Sequence, residues 1–345
     1  MVREKIISQE ELGPEDERFN SALRPESLDA CIGMDDLLEK LQISITAARQ
    51  RNEPMEHVLL HGPPGLGKTT LAYVIANEMG SAIRVSSGPA LTRPSDLIGI
   101  MTNLESRDVL FIDEIHRLSP AVEEYIYPAM EDYKVDFIVD SGMHSRTINL
   151  PLKPFTLIGA TTRSGMLSPP LRTRFGITHH LEFWTPDDLL KRCRMSADML
   201  DLKYEEPALS MLADRARGTP RIANRLLRRC RDYAQVKGDG HLTVGSVEAA
   251  LDLEGIDQLG LDELDRSFLR RIIEIYKGGP VGIEAVAATL GEETDTLVDV
   301  VEPFLLQNGL LARTRRGRMV TAKAYEHLNV SDIPPQTEAG LFDQQ

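Results

Sequence analysis

Residues 57–69 read HVLLHGPPGLGKT, and within them Gly62, Gly67, Lys68 and Thr69 have the G-x-x-x-x-G-K-[ST] spacing. The apolar run Val58-Leu59-Leu60 precedes the motif as a buried strand would, and an apolar-periodic segment from Thr70 to Met79 follows it as a helix would. Chemistry of one kind needs this arrangement. Glycines such as Gly65 let backbone N–H groups close on phosphate oxygens where a Cβ would collide. The helix N-terminus adds partial positive charge, Lys68 reaches the β- and γ-phosphates, and the Thr69 hydroxyl can ligate Mg²⁺. A Gly/Pro-rich surface turn beside an ordinary lysine does not require every motif position and both flanks. The pattern points to a nucleoside triphosphate.

A second group of candidates lies further along. Asp108-Val109-Leu110-Phe111-Ile112-Asp113-Glu114 is an apolar run that delivers two carboxylates together. Asp113 suits the Mg²⁺ shell and Glu114 suits polarisation of an attacking water. Phe155 to Thr162 repeats the design but ends in hydroxyls, so Thr162 or its neighbour Thr161 can sense the γ-phosphate or the water. Ser168-Pro169-Pro170 opens a capped helix carrying Arg172 and Arg174. Gly218-Thr219-Pro220-Arg221 opens another, with Thr219 as N-cap. Arg221 then sits in the first helical turn, where the macrodipole disfavours a cation, and such a broken local rule suggests an anion nearby.

The elements that must position these residues follow from alternation. Strand-like segments at 57–61, 83–86, 108–113 and 155–161 alternate with helical ones, the first helix running from about Met34 to Arg51. This predicts an α/β domain, a P-loop parallel sheet with helices on both faces. Between the third and fourth strands, Asp136 to Val139 and Thr147 to Leu150 flank Asp140-Ser141-Gly142 and predict an inserted β-hairpin over 136–150. Phe137, Val139 and Ile148 alternate with polar residues there and make a candidate docking face. Thr185-Pro186 marks a new, helical unit reaching to about Gly255. Helices are predicted near 262–277, 283–290 and 294–307, followed by a hairpin turning at Arg316-Gly317. That order suggests a winged helix-turn-helix. The expected domains are a mobile arm over 1–20, a large ATPase-type domain over 21–184, a small helical lid over 185–255, a winged-helix head over 256–332 and a disordered tail over 333–345.

The formal net charge of −14 over 345 residues argues against bulk electrostatic attraction to DNA or anionic membranes. One local exception stands out. Residues 311–323 hold Arg313, Arg315, Arg316, Arg318 and Lys323 and no acid. Arg313, Arg315 and Arg318 are expected on one face of the hairpin, gripping DNA phosphates. The three cysteines, Cys31, Cys193 and Cys230, are too far apart in the chain to suggest a disulfide framework or a zinc site. No apolar run is long enough to span a bilayer, and a reducing cytoplasm is the expected compartment.

With GPPGLGKT, LFIDEIH, GATTR, SPPLRTRFG and GTPRIANRLLRR in this order, the chain resembles the AAA+ ATPases. LRPESLDACIG, YPAMEDYKVDFIVDSG, LRTRFGI and RTRRGRM make it similar, more closely, to the RuvB family, hexameric motors that drive branch migration of Holliday junctions. The resemblance runs from about Leu23 to about Val330. It implies roles at matching positions. Leu23 and Arg24 flank the nucleotide. Gly65, Lys68, Thr69 and Thr70 form its phosphate loop. Asp113 and Glu114 are the Walker B carboxylates, Thr161/Thr162 the first sensor and Arg221 the second. Arg174 matches an arginine finger reaching into a neighbouring subunit's site. Glu131, Asp132 and Tyr133 occupy a further segment associated with the nucleotide. ATP and Mg²⁺ are the implied cofactors. The implied partners are double-stranded DNA at Holliday junctions, RuvA through the hairpin, RuvC, and further copies of the chain in a homo-hexamer. Two positions depart from the family pattern: Trp184 stands where Tyr is usual, and Thr294 where Arg is frequent. Asp113-Glu114-Ile115-His116 also spells a DExH box, but a helicase with two RecA-like domains is disfavoured because the chain after 185 is helical. A non-motor AAA+ switch such as a clamp loader is the other class weighed.

Overall fold

The computed structural model describes residues 13–139 and 146–330. The described chain divides into two compact bodies, one made of 13–199 and 218–224, the other of 200–217 and 225–330.

The first body runs α1 (Pro14–Ala22), α2 (Asp35–Arg51), β1 (Val58–His61), α3 (Lys68–Met79), β2 (Ile83–Ser87), α4 (Pro94–Met101), β3 (Val109–Asp113) and α5 (Pro120–Asp132). It continues through β4 (Lys134–Val139), β5 (Arg146–Pro151), β6 (Thr156–Thr161), α6 (Pro169–Thr173), β7 (Ile177–His180) and α7 (Pro186–Met199). Five strands form a parallel sheet in the order β2-β3-β6-β1-β7. Side chains alternate across it. Val58, Leu60, Phe111, Ile158 and Ala160 pack with Leu37, Leu41, Ala72 and Ile75 of α2 and α3. Leu59, Leu110, Ile112 and Leu157 face the other way, onto Leu97, Val122, Ile126 and Leu171 of α4, α5 and α6. Both faces are covered, so β1, β3 and β6 read as unbroken apolar runs in the sequence. All three end at the same carboxyl edge, the edge at which open α/β sheets bind ligands.

The inserted hairpin is a separate antiparallel pair, β4 with β5, in register from Lys134↔Pro151 to Val139↔Arg146. Residues 140–145 of its tip lie outside the described residues, as do the side chains of Phe137, Val139 and Ile148.

The second body holds α8 (Glu206–Asp214), most of α9 (Pro220–Lys237), α10 (Val244–Leu253), α11 (Glu263–Tyr276) and α12 (Ile283–Leu290). The third head helix is broken into α13 (Thr294–Thr296), a π-helical turn Leu297–Val301 and α14 (Glu302–Gln307). Pro303 explains the widened turn. It has no N–H for the carbonyl of Asp299, and its ring would crowd that carbonyl, so the backbone loosens just ahead of it. The antiparallel wing β8 (Leu311–Thr314) and β9 (Gly317–Val320) and a short α15 (Ala322–His327) complete the head. Phe268, Ile272, Val286, Leu297, Phe304, Leu311 and Val320 are buried together in its core.

Two expectations differ from the structure. The part of the expected 1–20 arm that is described is helical from Pro14, and residues 1–12 and 331–345 lie outside the described residues. β7 was not foreseen, because Ile177-Thr178-His179-His180 at the sheet edge lacks the doubly buried apolar run of the central strands. The unit expected over 185–255 is helical, from α7 to α10, and α7 and residues 218–224 of it group with the first body.

A candidate nucleotide site and a winged-helix head

The phosphate loop joins β1 to α3 with Gly62, Gly65 and Gly67 all at positive φ. Two of these positions have no room for a side chain. A Cβ on Gly62 would lie 2.3 Å from the Leu181 carbonyl oxygen, and one on Gly65 would lie 2.7 Å from Thr219 Cγ2 and 3.3 Å from Arg221 Cβ. The 218–221 segment therefore packs directly on the loop, which brings Arg221 to the site as the dipole anomaly suggested. Lys68 is buried, and its Nζ donates to the carbonyls of Gly62 at 2.9 Å and Pro63 at 2.8 Å. Burial pushes the Lys68 ammonium down to about 8, with Asp113 opposing that shift and Arg221 adding to it. Lys68, Asp113 and Arg221 thus form one electrostatic group.

Asp113 closes β3, and its Oδ1 accepts from the Glu114 amide at 2.8 Å. Glu114 sits at φ 46, a left-handed conformation that turns the chain sharply into the 3₁₀ turn Ile115–Arg117. Its Oε2 is 3.1 Å from Arg117 Nη1. Gly88 permits this corner, since a Cβ there would lie 2.4 Å from the Glu114 carbonyl oxygen. Of the two threonines, Thr161 is fully buried at the end of β6 and its hydroxyl is engaged by His116 and by the Arg163 amide. Thr162, half-buried beyond the strand end, is left as the residue that can meet a phosphate or a water. Thr69 and Thr70, in the first turn of α3, are likewise half-buried.

On the flank, the Leu23 carbonyl accepts from Arg192 Nη2 at 2.6 Å, and the Arg24 guanidinium lies 4.1 Å over the Tyr73 ring of α3. The Trp184 amide donates to the Gly218 carbonyl at 2.8 Å, and its ring packs on the apolar cluster beneath α2 and α3. Leu23, Arg24 and Trp184 therefore share the α2–α3 side of the sheet with the loop.

Arg174 belongs to a different group. It follows α6 directly, donates from Nη1 to the Pro170 carbonyl at 2.7 Å, pairs with Glu131 at 3.0 Å and stacks 4.5 Å from the Tyr127 ring. Glu131 and Asp132 end α5, and Tyr133 follows in the left-handed conformation. Asp132 pairs with Lys134, and the Tyr133 ring lies edge-on to His57, at the end of β1 opposite the phosphate loop. Glu131, Asp132 and Tyr133, which the resemblance associates with the nucleotide, have their contacts with Arg174, with Lys134 and with His57 at the amino edge of the sheet.

The head bears out a winged helix but redistributes its arginines. Arg313 pairs with Arg318 across the wing, as Leu311 does with Val320, so all four share the core-side face. Arg318 is not a free phosphate ligand. Its Nε and Nη2 fork onto the Glu302 carboxylate at 2.6 and 3.3 Å, with Glu302 buried in the head. The Arg318 backbone is fixed too, exchanging hydrogen bonds with Val281 at 3.0 and 2.8 Å. Arg313, Arg315 and Arg316 are exposed at the wing tip. The assignment of Arg318 to DNA overlooked the acid at 302, sixteen residues away on another element.

Comparison with known proteins covers nearly the whole chain. Residues 23–181 match the Holliday junction DNA helicase RuvB P-loop domain, 184–257 the RuvB AAA lid domain and 258–329 the RuvB C-terminal winged helix domain. A Holliday junction branch migration complex subunit RuvB from Kosmotoga olearia is 53% identical over 330 residues, covering 96% of each chain. Its counterpart from Desulfosudis oleivorans is 56% identical over 309 residues, covering 90% of each. The solved Thermotoga maritima RuvB Holliday junction branch migration motor superposes with a TM-score of 0.82 at 51% identity, covering 91% of this chain and all of that one. With RuvB family models matched from residue 23 to residue 329 and relatives 53% and 56% identical along nearly its whole length, this chain belongs to the RuvB family of AAA+ ATPases that drive branch migration of Holliday junctions.

Proposed function

We propose that the chain assembles as a homo-hexameric ring whose ATP sites are completed across subunit boundaries. In this reading it docks on RuvA through the 134–151 hairpin and acts with RuvC on duplex DNA at the junction, in the cytoplasm. The observation that carries it is the separation of two groups within one chain. Lys68, Asp113 and Arg221 are held together, whereas Arg174 is held with Glu131 and Tyr127. A finger held by Glu131 and Tyr127 rather than by the groups around its own loop can serve a neighbour's loop when subunits contact head to tail, and such heterologous contacts make a ring when the rotation closes.

Within such a site Lys68 and the loop amides hold the β- and γ-phosphates, and Glu114 orients the attacking water once it leaves Arg117. Thr162 steadies that water or the γ-phosphate, and Arg174 of the adjacent copy meets the developing charge. The residues also fit Mg²⁺: the Thr69 hydroxyl and the Asp113 carboxylate are hard oxygen donors, few enough to leave room for phosphate oxygens and water. Bound there, the cation would neutralise charge on the β- and γ-phosphates. The supporting experiment is junction movement. Purified chain with RuvA, ATP and a synthetic four-way junction should convert it to duplex products, whereas Glu114→Gln should bind ATP and convert nothing. Val139→Asp should lose only the RuvA-dependent part of the activity. Conversion by Glu114→Gln would defeat the motor reading.

A further inference from the structure

Three separate segments meet on Thr161, the last residue of β6. Its carbonyl accepts from the amide of Gly62, the first residue of the phosphate loop, at 3.1 Å. Its hydroxyl oxygen accepts from the Arg163 amide at 3.0 Å, which fixes the chain on both sides of Thr162. The same oxygen lies 2.8 Å from Nδ1 of His116, two residues beyond Glu114. Thr161 is fully buried, so its O–H proton must find an acceptor inside the protein. The Arg163 amide can only donate. The proton therefore goes to His116 Nδ1, which assigns the imidazole the tautomer protonated on Nε2.

The surroundings give this link little slack. A Cβ on Gly159 would lie 3.0 Å from Ile115 Cδ1 and 3.0 Å from Phe175 Cζ, so the turn after Glu114 is pressed against β6. On its other side the Glu114 carbonyl rests against Gly88.

We infer that His116 is a positioning residue for ATP hydrolysis: through Thr161 it holds Glu114, Thr162 and the mouth of the phosphate loop in one fixed relation. The inference rests on the ATPase reading of the site. His116 touches no reacting atom in this role. Because Lys68 and the loop amides bind ground-state phosphate while Glu114 and Thr162 act on the water, loosening the link should lower kcat and spare nucleotide affinity.

The test is a matched set of variants in the full-length protein, read as kcat and as ATP affinity. His116→Ala should lower kcat by about 10²-fold, the scale of a small misplacement of catalytic groups, with affinity changed less than about threefold. His116→Asn carries a carbonyl oxygen where Nδ1 stood, so it should recover most of that loss. Thr161→Val should match His116→Ala, and Thr161→Ser, which keeps the hydroxyl, should recover most of that loss. The His116→Ala/Thr161→Val double variant should be no slower than the slower single, because both remove one interaction. If Thr161→Val fails to fold, the His116 pair decides alone. The inference is overturned if Asn is as slow as Ala, if the two losses multiply, or if KM moves while kcat does not. Glu114→Gln runs alongside as a reference: normal turnover there would sink the ATPase reading itself, a separate outcome.

Discussion

Glu302 and Arg318 form a nearly buried fork between the third head helix and the wing, with Nε–Oε1 at 2.6 Å and Nη2–Oε2 at 3.3 Å. Only 2% of the Glu302 side chain and 11% of the Arg318 side chain are exposed. A pair this dry is held by its geometry, and removing one member strands the other charge. Arg318→Ala should destabilise the head by about 3–5 kcal/mol. An Arg318→Met/Glu302→Met double variant should recover much of that loss, because no charge is left unpaired. Denaturant unfolding checks both, and an Arg318→Ala protein as stable as wild type would contradict the fork.

In the proposed action on duplex DNA, the exposed Arg313, Arg315 and Arg316 of the wing tip are then the candidates for phosphate contact. Arg313→Ala with Arg315→Ala should weaken binding to any duplex alike and reduce the salt slope by about 1.8, at about 0.9 per lost phosphate contact. Binding of two unrelated duplexes over a salt series measures this. Sequence-dependent loss would indicate base readout, which suits a motor that must traverse any sequence poorly.

Lys68 carries a pH signature. Burial lowers its ammonium to about 8. The charged form that attracts phosphate is present below that value and lost as pH rises through it. ATP affinity of the free protein should therefore be nearly flat up to neutrality and decline above about pH 8, approaching tenfold per pH unit. Binding near pH 8.5 should take up a proton, because bound phosphate restores the ammonium. Calorimetry in two buffers of different ionisation enthalpy reads the proton directly, and no uptake would mean that Lys68 is fully charged before ATP arrives.

The sequence made the carboxyl edge legible because the three central strands, β1, β3 and β6, are buried on both faces. Val58 to Leu60, Val109 to Ile112 and Leu157 to Ala160 announce themselves as apolar runs; Asp113 follows its run at once, and the phosphate loop and Thr162 begin one residue beyond theirs. Local rules also exposed Arg221, since a cation in a first helical turn is conspicuous. What stayed hidden is pairing between distant residues. Nothing in RTRRGRM says that one arginine is consumed by Glu302. His116 was visible as part of DEIH, but its bond to Thr161, 45 residues on, appears only once β3 and β6 lie side by side. Glu131, Asp132 and Tyr133 could be tied to the nucleotide by resemblance, yet which chain's nucleotide is a question of assembly.

In the proposed ring each catalytic site is shared between subunits, with Lys68 from one copy and Arg174 from the next. Subunits carrying Arg174→Ala and subunits carrying Lys68→Ala should each be inactive alone. Mixed at equal amounts into rings shown by mass to contain both, about one interface in four pairs an intact Lys68 with an intact neighbouring Arg174. DNA-stimulated ATP turnover of the mixture should therefore recover to roughly a quarter of the wild-type rate per ring. Turnover that stays at the level of the separate variants, in rings proven to be mixed, would mean that Arg174 serves its own chain and would contradict the account.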